Sequence, residues 1–188
     1  MRKKFVVFVS GYGRGAIEII KDFENSLIYP ELSLILSSFE NSYSLKIAEE
    51  NGISTAIVKR DIFKSKNEFE EEILKILKFN NIDYIFLAGW NYIVGEKLLN
   101  SYKNKIVNIH PSILPSFKGK NAIDQAIEAG VKITGITTHF VDSSIDGGKI
   151  IEQKCIRINE GDNFRLLDNK IFKSGTVLTL ETINTVFI

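Results

Sequence analysis

Apolar positions along the chain fall into short unbroken runs separated by helix-spaced patterns. Phe5–Val9, Leu32–Leu36, Tyr84–Ala88 and Lys105–Ile109 are strand-length apolar stretches, and Ser54–Val58 is a weaker one. Between them the period changes to that of a helix. Ile17, Ile19, Ile20 and Phe23 follow a glycine-rich turn, and Ser42 is a plausible N-cap for a helix ending at Asn51-Gly52. Phe69, Ile73, Ile76 and Leu77 share one face of a helix over residues 67–79, and a short helix covers Glu96–Tyr102. Strands that are apolar throughout, rather than alternating, are those covered on both faces. Their alternation with helices predicts an α/β fold: an open, mostly parallel, Rossmann-like twisted sheet with helices on both faces.

From Ile133 the pattern changes. Ile133–Val141 and Lys149–Ile158 are longer and partly alternating, joined by a turn containing Asp146-Gly147-Gly148, which suits an antiparallel edge section near the C-terminus. A helical region from Asn163 carries Leu166, Leu167, Ile171, Leu178 and Ile183, with Gly175 expected as a kink or break. Glu70-Glu71-Glu72 reads as a solvated helix face, with Glu71 spaced to pair with Lys75. No repeat or linker interrupts the pattern, so residues 1–188 are expected to form one domain.

Charge and cysteine content narrow the partners. The 24 basic and 23 acidic side chains leave a net charge of +1, which gives no broad footprint for nucleic acid; an anionic ligand must be held locally. The single cysteine, Cys155, supports neither a disulfide framework nor a thiolate metal cluster, and points to a reducing, cytoplasmic setting. The basic start at Arg2, Lys3 and Lys4 is followed by an apolar run that Ser10-Gly11 ends too soon for a signal peptide or a membrane span. The expected partners are therefore small molecules, with no membrane and no metal, and the protein acts as a monomer or homodimer.

Two segments carry candidate chemistry. Ser10-Gly11-Tyr12-Gly13-Arg14-Gly15-Ala16 joins a strand to a helix, where glycines let a ligand approach and the helix N-terminus attracts a phosphate. Gly13, Arg14 and Gly15 are the candidate phosphate contacts. Gly11, Gly13 and Ala16 also satisfy a dinucleotide fingerprint, but the acidic residue that should close the second strand is replaced by Ser37 and Ser38, with Glu40 arriving late. A nicotinamide-dependent oxidoreductase thus remains one reading. The second segment is Asn108-Ile109-His110-Pro111-Ser112. Alternation puts Asn108 and His110 on one side, beyond the carboxyl end of a parallel strand, where an amide donor beside an imidazole suits a developing oxyanion. Asp146 is the candidate carboxylate to tune that histidine, whereas His139, inside a strand pattern, reads as structural.

These residues resemble the phosphoribosylglycinamide formyltransferases, folate-dependent enzymes of purine synthesis. The match runs from Val9-Ser10-Gly11-Tyr12-Gly13 and Leu87-Ala88-Gly89-Trp90 through Asn108-Ile109-His110-Pro111-Ser112-Ile113-Leu114-Pro115 and Thr134-Gly135 to Asp146-Gly147-Gly148, over roughly residues 5–160. The resemblance implies formyl transfer from 10-formyltetrahydrofolate to the amine of phosphoribosylglycinamide. It implies that Asn108 donates to the formyl oxygen, that His110 stabilises or protonates the tetrahedral intermediate, and that Asp146 raises the basicity of His110. The folate is expected along Trp90, Asn91, Tyr92, Ile93 and Val94 and along Asp142, Ser143, Ser144 and Ile145, with Lys66 and Tyr92 where the family has arginines. The Leu114-Pro115 bond falls where the family tends to have a cis peptide. Two departures touch the acceptor side. The usual Gly-x-Gly-Ser-Asn loop reads Gly11-Tyr12-Gly13-Arg14-Gly15 here, and Ser174-Gly175-Thr176 stands where the last helix is expected to carry an acidic residue and a histidine. A related formyltransferase acting on another amine, such as a nucleotide-linked amino sugar, is the alternative.

Overall fold

The computed structural model describes residues 2–188. In chain order the elements are β1 (Lys4–Val9), α1 (Arg14–Glu24), β2 (Glu31–Ser37), α2 (Tyr43–Glu50), β3 (Ser54–Ile57), α3 (Lys66–Phe79), β4 (Tyr84–Leu87), α4 (Glu96–Ser101), β5 (Ile106–His110), α5 (Ala122–Glu128), β6 (Ile133–Phe140), β7 (Ile150–Arg157) and α6 (Phe164–Val186). One sheet runs in the order β3-β2-β1-β4-β5-β6-β7. The pairs among β1 to β5 are parallel, and β5–β6 and β6–β7 are antiparallel. The open, mostly parallel sheet with an antiparallel edge is thus the architecture that the patterning predicts.

The non-alternating strands are explained by what covers them. Phe5, Val7, Val9, Ile35, Phe86 and Val107 face α1, α2 and α6, packing with Ile19, Ile20, Leu45 and Ile183. Val6, Phe8, Leu34, Leu36, Ile85, Leu87 and Ile106 face the other way, onto Phe69, Ile73 and Leu77 of α3 and Leu98 of α4. Successive residues of one strand therefore feed two cores. A smaller cluster of Ile123, Ile136, Ile156, Leu167, Ile171 and Leu178 seals α5 and α6 onto the antiparallel edge.

Four local expectations are revised. Helix α5 was not expected: its seven residues are too few to show a period, and its N-cap, Asn121, has left-handed φ 57°. Gly175 does not break α6, which runs unbroken from Phe164 to Val186. A Cβ at Gly175 would lie 2.6 Å from Ile136 Cδ1, so the glycine lets α6 lie close on β6. Ser42 occupies the N-cap position of α2, but its hydroxyl faces Ser44 Oγ at 2.9 Å instead of capping the helix. Glu70 is not on a solvated face. It is 2% exposed, and its carboxylate accepts from the amides of Gly95 and, at 3.4 Å, Leu98 at the start of α4. Glu71 pairs with Lys97 rather than Lys75, which pairs with Glu72 at 3.0 Å.

Candidate active site

The chain winds outward in opposite directions from β1 and β4, so a crevice opens between their carboxyl ends. The two turns leaving that crevice are tied together: Ser10 N donates to Gly89 O at 3.0 Å, and Asn91 N donates to Ser10 Oγ at 3.0 Å. Gly13 closes the first turn at φ +84°, and a Cβ there would lie 2.3 Å from Ser44 Oγ, so only glycine fits. No side chain caps α1, which leaves the amides of its first turn available to an anion.

Beside the crevice, β5 carries Asn108 and His110 on the face of Ile106, while Ile109 turns with Val107 to the opposite face. Antiparallel register sets His139 of β6 directly across from Asn108. The turn after β6 then returns Asp146, at φ 46°, onto the pair. His110 Nδ1 is 3.3 Å from Asp146 Oδ2, and His110 Nε2 is 2.8 Å from the Phe117 carbonyl oxygen. Both ring nitrogens thus face acceptors, and the ring donates to both only as an imidazolium. Asp146 Oδ2 also accepts from Gly119 N at 2.8 Å, and Asp146 Oδ1 lies 3.4 Å from Asn108 Nδ2. Burial pushes the Asp146 carboxyl up. Hydrogen bonds from His139 and Gly119, with the charges of His110 and His139, outweigh that and hold it below the usual carboxylate range. The three residues singled out in the sequence therefore meet, with His110 5% exposed.

His139 was read as structural, and its contacts show what it orders. Its Nδ1 donates to the Phe140 carbonyl at 2.9 Å, and its Nε2 lies 3.2 Å from Asn108 Nδ2 and 3.5 Å from Asp146 Oδ1. The ring thereby orients the Asn108 amide. That role follows from strand pairing, which local sequence does not reveal. The Phe117 carbonyl and Gly119 amide were missed for the same reason: they are backbone groups of a loop folded over the site.

The expected folate segments lie on the Asn108–His110 side. Trp90 is drawn into an aromatic cluster, stacked on Phe69 at 6.0 Å and packed against Phe8 and Tyr92. Tyr92 and Ile93 are exposed, and Val94 is buried beside α4. Lys66, at the start of α3, runs beside Gly95, where a Cβ would meet its Cε at 2.6 Å. Asp142, Ser143, Ser144 and Ile145 are exposed, and Ser144 N donates to Asp142 Oδ1 at 2.8 Å. The Ser144 hydroxyl and amide hold the Asp142 carboxyl below its ordinary range. Asn91 instead lines the opposite compartment.

That compartment is a cavity of about 400 Å³ between α1 and α6, running from the glycine turn to Ile109 and Pro111, the chain neighbours of His110. Gly13, Arg14 and Gly15 line it, as the sequence suggests. The Arg14 side chain is committed within the protein, however: Nη1 and Nη2 donate to Asp168 at 2.8 and 2.9 Å, and the guanidinium lies 4.0 Å from the Phe172 ring centroid. The dinucleotide reading of the turn fails here. No carboxylate closes β2: Ser37 Oγ donates to Phe39 O at 2.7 Å, Ser38 Oγ donates to Ser10 Oγ at 2.9 Å, and Glu40 is paired with Lys59. Among the described residues there is no group of three or more histidine, cysteine or acidic side chains placed to hold a metal ion, and no helix long and apolar enough to cross a membrane.

Comparison with known proteins agrees with this geometry. The sequence pattern of the family described as "Formyl transferase" matches residues 3–183. A phosphoribosylglycinamide formyltransferase of Bacillus subtilis is 36% identical over 171 residues, which span 91% of this chain and 88% of the relative. The crystal structure of glycinamide ribonucleotide transformylase 1 from Geobacillus kaustophilus matches with a TM-score of 0.96 at 34% identity, over 100% of each chain. That of phosphoribosylglycinamide formyltransferase from Bacillus halodurans matches with a TM-score of 0.94 at 36% identity, over 97% of this chain and 94% of the other. With the Asn108–His110–Asp146 cluster at the strand tips and this match over nearly its whole length, the chain belongs to the formyl transferase family.

Proposed function

We propose that the protein transfers the formyl group of 10-formyltetrahydrofolate to the primary amine of phosphoribosylglycinamide. The observation that carries this reading is the position of Asn108 and His110 at the tip of β5, against Asp146 on one face of the strand, with the α1–α6 cavity reaching their chain neighbours Ile109 and Pro111. The folate lies along Trp90, Tyr92–Val94 and Asp142–Ile145, with Lys66 alongside. The fit rests on donor chemistry: exposed backbone and polar groups at 142–145 suit a polar ring system, and Tyr92 and Ile93 offer apolar surface. The acceptor phosphate lies at the first turn of α1, against Gly13, Arg14 and Gly15, and its amine reaches past Ile109 toward His110.

In the reaction the amine nitrogen attacks the formyl carbon, and the carbonyl electron pair moves onto oxygen. Asn108 and the His110 imidazolium stabilise that oxyanion; the formyl oxygen takes the place that the Phe117 carbonyl now holds at Nε2. Asp146 stabilises the imidazolium across its 3.3 Å contact and relays the proton that the attacking amine gives up. The folate N10–carbon bond then breaks, N10 takes a proton, and tetrahydrofolate and the formylated amine leave. The enzyme works in the cytoplasm, as a monomer or homodimer; its lone Cys155 suits a reducing compartment.

The test is tetrahydrofolate release monitored with and without the amine. Release that requires phosphoribosylglycinamide, and falls about 10²–10⁴-fold in His110→Ala with the fold retained, is expected. Release of tetrahydrofolate without the amine, or an undiminished rate in the variant, contradicts the reading.

A further inference from the structure

The carboxylate of Asp146 leans on a backbone group from the loop that joins β5 to α5. Gly119 N donates to Asp146 Oδ2 at 2.8 Å, the oxygen that also faces His110 Nδ1 at 3.3 Å. Gly119 sits at φ +79°, a backbone conformation that glycine adopts without penalty. Nothing lies within 4 Å of where a Cβ would stand there, so packing around Gly119 does not fix its peptide.

A side chain of α5 does. Gln125 Nε2 donates to Lys120 O at 2.7 Å and lies 3.5 Å from Lys118 O, the carbonyls of the residues on either side of Gly119. The Lys118 carbonyl and the Gly119 amide belong to one planar peptide unit. A donor at its oxygen therefore fixes where its N–H points and polarises that N–H toward Asp146. Gln125 is itself set by the helix, since its N donates to Asn121 O at 2.9 Å.

Asp146 is half-buried, which makes the amide matter. Burial pushes its carboxyl up; hydrogen bonds from His139 and Gly119, with the charges of His110 on β5 and His139 on β6, bring it down. Lys118 reaches over the neighbouring Gly147, where a Cβ would lie 3.3 Å from its Nζ.

We propose that Gln125 is a positioning residue for the reaction, which braces the Lys118–Gly119 peptide so that the Gly119 amide stays on Asp146 Oδ2 beside His110. It acts through Asp146 and not on either substrate. Its catalytic consequence rests on the formyl-transfer reading above; its effect on Asp146 does not.

The test reads the Asp146 carboxyl by carbon-13 NMR titration of the free protein, alongside steady-state kinetics. Gln125→Met fills similar space without a donor, and Gln125→Asn carries an amide one methylene too short for Lys120 O. Both should move the Asp146 midpoint to higher pH, because a carboxylate that loses an amide donor is protonated more easily. Gln125→Met should lower kcat about tenfold, with both KM values near wild type, and carry the acid limb of the kcat profile up in pH. In an Asp146→Asn background the same substitution should change kcat little, since the charge it acts through is already gone. An Asp146 midpoint unchanged in both variants, or an equal fall in kcat with and without the Asp146 carboxylate, overturns the inference and leaves the formyl-transfer reading intact. A wild-type enzyme that does not turn over phosphoribosylglycinamide removes that reading, and the NMR titration still decides whether Gln125 sets Asp146.

Discussion

His110 presents Nδ1 to Asp146 Oδ2 at 3.3 Å, and the same carboxylate oxygen accepts the Gly119 amide at 2.8 Å. With Oδ1 3.4 Å from Asn108 Nδ2 as well, the carboxylate is fixed at both oxygens and orients the imidazole. Asp146→Asn keeps the shape but removes the charge. It should lower kcat about 10²–10⁴-fold, with far smaller changes in either KM.

The same residue sets a pH dependence. The folded carboxyl of Asp146 titrates below its unfolded value, because the hydrogen bonds and histidine charges outweigh the burial that pushes it up. A depressed folded pKa contributes stability that is complete above the unfolded value, about 4, and is lost as pH falls through the folded value. Thermal unfolding followed from pH 7 into that acid range should therefore fall more steeply in wild type than in Asp146→Asn. Parallel curves would show that Asp146 adds no acid-labile stability.

Gly13 should tolerate no side chain. In Gly13→Ala the positive φ costs about 1–2 kcal/mol. Its Cβ would also meet Ser44 Oγ at 2.3 Å and Ser44 Cβ at 2.5 Å, adding an overpacking cost of about 1–3 kcal/mol. Denaturant unfolding should register the sum as a lower midpoint at constant slope, and the acceptor KM should rise because the α1 amides shift.

Glu70 anchors the donor-side wall from beneath. Removing its carboxylate in Glu70→Ala leaves the buried Gly95 amide without its acceptor, at a cost of about 1–3 kcal/mol. Since Gly95 directly follows Tyr92, Ile93 and Val94, the 10-formyltetrahydrofolate KM should rise while the acceptor KM holds. Glu70→Gln keeps one oxygen acceptor and should lose less of both. Chemical denaturation and donor titration check the two effects separately.

Much of the sheet is legible in the sequence because each parallel strand must feed two cores, which forces unbroken apolar runs such as Phe5–Val9. Asn108 and His110 are legible because strand alternation alone puts them on one side. What stays hidden depends on distant parts of the chain. Glu70 looks solvated until the start of α4 arrives 25 residues later. Likewise, His139 looks structural until antiparallel register sets it against Asn108. Gly175 reads as a break because helix propensity counts only the local cost of glycine, not the close approach to Ile136 that requires it. Arg14 shows its charge in sequence but not its partner, since Asp168 lies 154 residues away.

The central claim, that this site formylates phosphoribosylglycinamide, is tested most directly by an acceptor panel with 10-formyltetrahydrofolate. Phosphoribosylglycinamide, a nucleotide-linked amino sugar and no amine are compared by tetrahydrofolate release and by the mass of the product. The account predicts rapid release and a formylated product with phosphoribosylglycinamide alone. Formylation of the amino sugar in its place, or release with no amine present, would contradict it.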